Sequence, residues 1–146
     1  MLRDHLFHKH EIAFSGYSGS GKTALVVNLL EKLSTKYKVG YVKHDAHCFD
    51  MDKEGKDTFR ATKAGASLVS IHNEDKWCDQ GSGVRDLAAS KLNHIDNDFV
   101  LIEGHKKSKC PKIIVLGDSH TKDNILNDFK EGSLTNVLAF VGVDSK

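Results

Sequence analysis

Residues 16–23, with the sequence GYSGSGKT, constrain the fold of this 146-residue chain more than any other segment. They match the pattern G-x-x-x-x-G-K-[ST] at every fixed position. The apolar segment Glu11–Gly16 precedes the pattern, and from Lys22 onwards apolar residues recur at helical spacing. This strand–loop–helix setting predicts a loop whose backbone N–H groups turn inward to phosphate oxygens. The predicted phosphate loop comprises Gly16, Tyr17, Ser18, Gly19, Ser20, Gly21, Lys22 and Thr23.

Two side chains of the predicted loop have the chemistry that a nucleoside triphosphate requires. The Lys22 ammonium is expected to reach the β- and γ-phosphates, which makes it a candidate catalytic residue. The Thr23 hydroxyl is expected to ligate Mg²⁺, and the start of the following helix adds partial positive charge. The segment therefore predicts a site for a nucleotide with Mg²⁺.

A second apolar segment ends in a carboxylate that suits the same site. Phe99–Glu103, with the sequence FVLIE, resembles a Walker-B strand, with Glu in place of the more usual Asp. Glu103 is a candidate catalytic residue and Mg²⁺ ligand, either directly or through water. Gly104 allows the backbone to approach a ligand closely. The alternative is that Glu103 is a solvated residue at the end of a strand.

Strand-like and helix-like segments alternate along the chain, which predicts an α/β fold with a mainly parallel central sheet. The predicted strands are Glu11–Gly16, Lys38–His44, Ser67–Asn73, Asp98–Gly104, Lys112–Gly117 and Val137–Val143. Glu74–Ser82 is interpreted as a loop or a short hairpin. The ligand is expected at the carboxyl ends of the strands. We expect residues 11–146 to form a single nucleotide-binding domain, preceded by a flexible tail at residues 1–10.

Composition excludes several classes of function. The net charge is +1 and charges of both signs are mixed along the chain, so no nucleic-acid binding is expected. No apolar run approaches the ~20 residues of a membrane span, and no leader peptide is visible. Three widely spaced cysteines argue against a disulfide framework and favour a cytoplasmic location.

The segment after the second predicted strand is dense in polar side chains, and two interpretations compete for it. His44, His47 and Cys48 suit a transition-metal site. Alternatively the segment is a switch-like loop beside the nucleotide, with Asp45 near Mg²⁺. Further along, Asp57 and Arg60 either pair with each other on a helix or face the pocket together.

These motifs together resemble the MobB family, the molybdopterin-guanine dinucleotide biosynthesis adapter proteins. The resemblance rests on GYSGSGKT, on VKHDAHCFDMDKEGKDTFRATKAGA and on DFVLIEGHKKSKCPKIIV. It implies a P-loop NTPase three-layer sandwich of the signal-recognition-particle/MinD-like GTPase class, which binds GTP with Mg²⁺ and hydrolyses it slowly. It also implies a homodimer that assists the molybdenum cofactor guanylyltransferase, with molybdopterin as a further candidate ligand.

By position, the resemblance places Gly16–Thr23 at the phosphates and Glu103 as the Walker-B-like carboxylate. It places Asp45, Asp57 and Arg60 near the nucleotide or the partner, with Asp45 as a candidate Mg²⁺ ligand. No N-K-x-D guanine motif is present, so the preference for guanine rests on the resemblance alone. The loop containing Asp118 and the segment Gly142–Lys146 are candidates for contact with the base.

Two alternative functions stay open on the residues alone. A small-molecule P-loop kinase is disfavoured because such enzymes close an arginine-rich lid, and this chain has only Arg3, Arg60 and Arg85. A metallochaperone-type GTPase would use His44, His47 and Cys48.

Overall fold

The computed structural model describes residues 6–44, 51–81, 83 and 87–142. The described residues form seven strands and four helices: β1 Glu11–Ser15, α1 Lys22–Leu33, β2 Val39–Lys43, α2 Asp57–Lys63, β3 Leu68–His72, β4 Trp77–Gly81, α3 Leu87–Leu92, β5 Phe99–Glu103, β6 Lys112–Leu116, α4 Ser119–Lys130 and β7 Val137–Gly142. The chain divides into two compact units, the first from Met1–His44 and Leu87–Lys146 and the second from Asp45–Asp86. The predicted arrangement of a tail followed by one domain stays a prediction.

The first unit is built on a five-stranded sheet with the order β2-β5-β1-β6-β7. Every neighbouring pair in this sheet is parallel. The predicted α/β fold with a mainly parallel central sheet is therefore confirmed. Because all five strands run the same way, their carboxyl ends meet at one edge of the sheet, where ligands of open α/β sheets bind.

Apolar residues on both faces of the sheet form the core, as expected for parallel strands buried on both sides. On one face, Phe14, Leu101 and Val115 pack with Val26 of α1. On the other, Ile114 packs with Ile125 of α4 and with Leu134. Ala13, Val100 and Ile102 of this second face meet Phe7 and Cys110.

Residues 6–10 lead into β1 and contact the sheet. Phe7 is buried, with 7% of its surface exposed. The backbone N–H groups of Leu6, Phe7 and His8 donate to the Glu11 carboxylate over 2.6–2.9 Å. A carboxylate that accepts several backbone hydrogen bonds is well satisfied although it is buried.

The second unit contains α2 and the two-stranded sheet of β3 and β4. The strands are antiparallel, and Ile71 lies opposite Cys78. The segment Glu74–Ser82 was interpreted from the sequence as a loop or a short hairpin, and it instead contributes a single strand, β4, which forms a hairpin with β3. Leu68, Ile71 and Trp77 are mostly exposed on this hairpin.

Within the described ranges, none of the helices is long and apolar enough to cross a membrane.

Candidate functional site

The sheet places the phosphate loop and Glu103 next to each other. β1 runs directly into the loop at Gly16, and its neighbour β5 ends at Glu103. Phe14 pairs in register with Glu103, and on the other side of β5 Lys43 pairs with Glu103. The strand register therefore sets the carboxylate at the carboxyl edge of the sheet, between β1 and β2.

Glu103 accepts hydrogen bonds at both carboxylate oxygens. The Thr23 hydroxyl donates to Oε1 over 2.8 Å. The Tyr41 hydroxyl donates to Oε2 over 2.8 Å. Lys43 Nζ lies 4.0 Å from Oε1, and Glu103 as a residue is only 5% exposed. Glu103 is thus a buried, oriented carboxylate that contacts the last residue of the loop.

The donor set at this point fits Mg²⁺. The Thr23 hydroxyl and the Glu103 carboxylate are both oxygen ligands, and they already lie within hydrogen-bonding distance of each other. Oxygen ligands of this kind, few in number and completed by water and phosphate, are what Mg²⁺ takes in nucleotide sites. The sequence predicted Thr23, Glu103 and Asp45 as candidate Mg²⁺ ligands. The structure brings Thr23 and Glu103 together, and Asp45 lies outside the described residues.

Lys22 lies folded against its own loop. Its Nζ donates to the Tyr17 carbonyl over 2.6 Å and lies 3.4 Å from Ser20 Oγ. Burial lowers the pKa of Lys22, and the charge of Glu103 opposes this effect. A phosphate oxygen is a stronger acceptor for an ammonium than a carbonyl is, so Lys22 can exchange the Tyr17 carbonyl for phosphate.

Two glycines of the site adopt backbone conformations that other residues disfavour. Gly21, directly before α1, has φ +89°. Gly104, directly after Glu103, has φ +101°, and a Cβ there would lie 2.9 Å from the His44 carbonyl oxygen. Both positions lie in the left-handed region, where glycine carries little steric cost. The Ser15 hydroxyl also donates to the Gly104 carbonyl over 2.6 Å, which ties the end of β1 to the turn after β5.

Tyr41 is a site residue that sequence reasoning did not identify. It lies on the edge strand β2 and contacts Glu103 from 62 residues away. Burial raises the pKa of Tyr41 to about 12, and the hydrogen bond to Glu103 adds to this effect. The alternation of VGYVK places Tyr41 and Lys43 on the same face of β2, and this was the only signal in the sequence.

Asp57 and Arg60 lie in the second unit, in the first and last turns of α2. Arg60 Nη1 is 3.6 Å from Asp57 Oδ1, and the Asp57 side chain is fully exposed. The pairing of Asp57 with Arg60, one of the two alternatives, is what the structure shows. Asp45 lies outside the described residues.

Asp118, one candidate for contact with the base, is the N-cap of α4. Its Oδ1 accepts from the Thr121 N–H over 2.9 Å and from the Thr121 hydroxyl over 2.7 Å. These bonds lower the pKa of Asp118. Of the other candidate segment, Gly142–Lys146, only Gly142 is described.

The predicted cluster of histidine and cysteine is only partly described. His44 stacks on His105 with ring centroids 4.4 Å apart, directly beside Gly104. His47 and Cys48 lie outside the described residues. Within the described ranges, no three His, Cys, Asp or Glu side chains are grouped so that they could hold a metal ion.

Comparisons with known proteins point mainly to one family. The sequence profile described as "MobB: Molybdopterin guanine dinucleotide synthesis protein B" matches residues 11–142. The molybdopterin-guanine dinucleotide biosynthesis adapter protein of Haemophilus influenzae is 35% identical over 76% of this chain and 65% of its own length. That of Escherichia coli is 30% identical over 80% of this chain and 72% of its own length. The chain thus spans less than two thirds of the Haemophilus relative. One relative carries a different name, the "Probable hydrogenase maturation factor HypB" of Methanocaldococcus jannaschii, which is 32% identical over 77% of this chain and 49% of its own length.

A solved structure gives the same answer for the fold. The crystal structure of Bacillus subtilis MobB superposes with a TM-score of 0.71 at 26% identity, and covers 91% of this chain and 79% of that one.

Proposed function

Because the chain belongs to the MobB family, we propose that it is a GTP-binding adapter that assists the guanylyltransferase step of molybdopterin-guanine dinucleotide biosynthesis. The observation that carries the proposal is the 2.8 Å contact between Thr23 of the loop and Glu103 of the adjacent strand. This contact joins the phosphate-binding element to a carboxylate, as a nucleotide site with Mg²⁺ requires. The relatives' names supply the pathway.

Different groups of the loop and its neighbours would bind the phosphates and the metal ion. The loop backbone and the start of α1 face the phosphate oxygens, and Lys22 neutralises their charge. Thr23 and Glu103 would hold Mg²⁺, which supplies positive charge to the β- and γ-phosphate oxygens when it is bound. Tyr41 fixes the second oxygen of Glu103 and so keeps the first directed at Thr23.

We propose that hydrolysis by the isolated protein is slow. The described residues of the first unit include no arginine, and the chain has a single glutamine, Gln80, in the second unit. An arginine at the transferred phosphoryl group contributes about 10³–10⁵ in rate. Turnover is therefore expected to rise when a partner or a second copy supplies such an arginine.

We also propose a homodimer, and the second unit carries the argument. Leu68, Ile71 and Trp77 are each more than half exposed on a hairpin that pairs with no further strand in the described part of the chain. Such a hairpin is marginal on its own and presents an unpaired edge to another chain.

The free thiols of Cys78 and Cys110 agree with the cytoplasmic location that we propose.

Calorimetric titration tests the proposal. GTP and ATP, each with Mg²⁺, and molybdopterin are titrated into the protein, alone and with the purified guanylyltransferase. The proposal predicts binding of GTP in preference to ATP and a measurable complex with the guanylyltransferase. Equal affinity for ATP and GTP would remove the guanine preference, and the absence of a complex would remove the adapter role.

A further inference from the structure

Tyr17, the second residue of the phosphate loop, is anchored outside the loop. Its ring packs against the core cluster of Ile114, Ile125 and Leu134. Its hydroxyl donates to Asp128 Oδ2 of α4 over 3.0 Å, across 111 residues of sequence. A variable position of the loop motif is therefore tied to the helix that covers β6.

Lys106 completes this anchor. It lies just beyond Glu103 and Gly104, and its Nζ donates to the same Asp128 Oδ2 over 2.6 Å. The ammonium also lies 4.5 Å from the centroid of the Tyr17 ring, within the range of a cation–π contact. The side chains of Lys106 and Asp128 are 31% and 25% exposed, so water screens the pair only in part.

The charges of this cluster support one another. Burial by itself lowers the pKa of Lys106, but the hydrogen bond and charge of Asp128 outweigh it and raise the pKa overall. The hydrogen bond from Lys106 lowers the pKa of Asp128. Both groups are therefore ionised near neutral pH, where their opposite charges attract.

The anchored residue is also the one that holds the loop lysine. The Tyr17 carbonyl accepts from Lys22 Nζ over 2.6 Å and from the Ser20 N–H over 3.3 Å. When Lys22 turns to phosphate, Tyr17 loses its bond to Lys22 but keeps its side-chain contacts to Asp128 and Lys106. The loop backbone then has a fixed point that does not depend on the ligand.

We propose that Lys106 and Asp128 are positioning residues that clamp Tyr17 and hold the phosphate loop in the form that receives phosphate. The inference rests on the proposed nucleotide binding at this loop. Its physical basis is preorganisation: a loop already held in its binding form loses less conformational freedom when the ligand arrives. The clamp acts through Tyr17, so it does not require Lys106 to contact the nucleotide.

The test compares affinities of variants for GDP and GTP, each with Mg²⁺, by calorimetry. Lys106→Met removes the charge and keeps the length of the side chain, and Lys106→Arg keeps both the ion pair and the ring contact. Tyr17→Phe removes only the hydroxyl bond to Asp128. Lys36→Met, an exposed lysine after α1, is the control, and melting temperatures without nucleotide are recorded for every variant.

Lys106→Met is expected to weaken both nucleotides by the same factor, about tenfold, in line with the loss of a charge-assisted contact. Lys106→Arg should keep the affinity within about twofold of that of wild type, because a guanidinium can also pair with the Asp128 carboxylate and lie over the Tyr17 ring. Tyr17→Phe should weaken both nucleotides less. The Tyr17→Phe/Lys106→Met double variant should lose less than the product of the two single losses.

Three results would overturn the clamp. The first is wild-type affinity in Lys106→Met. The second is a loss confined to GTP, which would mean that Lys106 contacts the γ-phosphate itself. The third is full additivity of Tyr17→Phe and Lys106→Met. If wild type binds neither nucleotide, it is the proposed nucleotide binding that fails, and the two failures are thereby separated.

Discussion

Glu103 makes more of the side-chain contacts described at the site than any other residue there. It is buried, it accepts from Thr23 and Tyr41, and it has Lys43 within 4.0 Å. These neighbours fix the orientation of both carboxylate oxygens. An oriented carboxylate suits Mg²⁺ as a ligand or as an anchor for its water.

Glu103→Gln tests this role. The amide keeps the shape of the side chain but removes its charge, so Mg²⁺-dependent hydrolysis should fall by roughly 10- to 100-fold, the range for loss of a group that orients a metal. GTP affinity should fall less, because the loop and Lys22 keep their phosphate contacts. Hydrolysis rates and calorimetry measure the two effects, with Glu31→Gln on the exposed side of α1 as the control. If rate and affinity are both unchanged, Glu103 is structural.

The Tyr41 phenol offers a spectroscopic test of the same contact. Its pKa is raised to about 12, above the value of about 10 for an exposed phenol, so stability from its bond to Glu103 is present below about pH 10 and lost as pH rises towards 12. Ultraviolet difference titration should show a tyrosine that ionises late, and Tyr41→Phe should remove that step. Tyr37→Phe is the matched control for loss of a phenol, since the Tyr37 ring packs on Phe99. A late step that survives Tyr41→Phe would contradict the assignment.

Sequence alone predicted those residues of this site that belong to recognisable local motifs. The phosphate loop, Lys22, Thr23 and Glu103 are carried by local motifs, and the structure places Thr23 against Glu103. Tyr41 was missed because its contact with Glu103 depends on β2 pairing with β5, which no local pattern specifies. The bond from Tyr17 to Asp128 was missed for the same reason, since it joins a loop to a helix 111 residues away.

The turn between β5 and the following loop is the element that brings the strands' carboxyl ends together. Gly104 has φ +101°, its backbone N–H donates to the Phe14 carbonyl over 3.0 Å, and its carbonyl accepts from Ser15. The His44 carbonyl lies against it from the end of β2. A side chain at this position would press on His44, directly after β2.

Gly104→Ala is therefore expected to lower the free energy of unfolding by more than the strain of placing an alanine in a left-handed conformation. A left-handed conformation costs an L-residue about 1–2 kcal/mol, and the contact with the His44 carbonyl adds to that. Gly132→Ala is the matched control, because Gly132 also has a positive φ (+75°) but has nothing within 4 Å of a Cβ. Urea denaturation gives the free energy of unfolding of each variant. Equal losses at the two positions would show that the contact with His44 carries no weight.

Element by element, the alternating pattern predicted the six strands Glu11–Gly16, Lys38–His44, Ser67–Asn73, Asp98–Gly104, Lys112–Gly117 and Val137–Val143 to within one residue at each end. β5, for example, was expected at Asp98–Gly104 and spans Phe99–Glu103. The pattern could not show that β3 pairs with β4 in a separate antiparallel sheet. A strand has the same alternation of residues whichever strand lies beside it. Partner choice depends on turn geometry and on packing across the chain, which periodicity does not encode.

The proposed homodimer would use the exposed hairpin of the second unit as its interface. Trp77 is 69% exposed on the hairpin of the second unit. Stable dimers bury about 800 Å² per partner, with aromatic anchors near the centre, so an exposed tryptophan on an unpaired hairpin suits that role.

Trp77→Asp should shift the protein from dimer to monomer, because the interface would then bury an unpaired charge. Leu92→Asp is the control, since Leu92 is 67% exposed and lies on α3 of the first unit. Sedimentation analysis of both variants measures the oligomeric state. A dimer that persists in Trp77→Asp, or a loss of dimer in Leu92→Asp alone, would place the interface elsewhere.

The proposed function of the whole protein depends on binding of GTP at the loop, and a paired titration measures that binding. Mg²⁺–GTP is titrated calorimetrically into wild type and into Lys22→Ala, with Lys36→Ala as the control for loss of a surface charge. Wild type and the control should bind GTP at one site per chain, and Lys22→Ala should show no measurable binding, because the ammonium that neutralises the phosphates is gone. Unchanged affinity in a folded Lys22→Ala variant would contradict the assignment of Gly16–Thr23 as the phosphate loop.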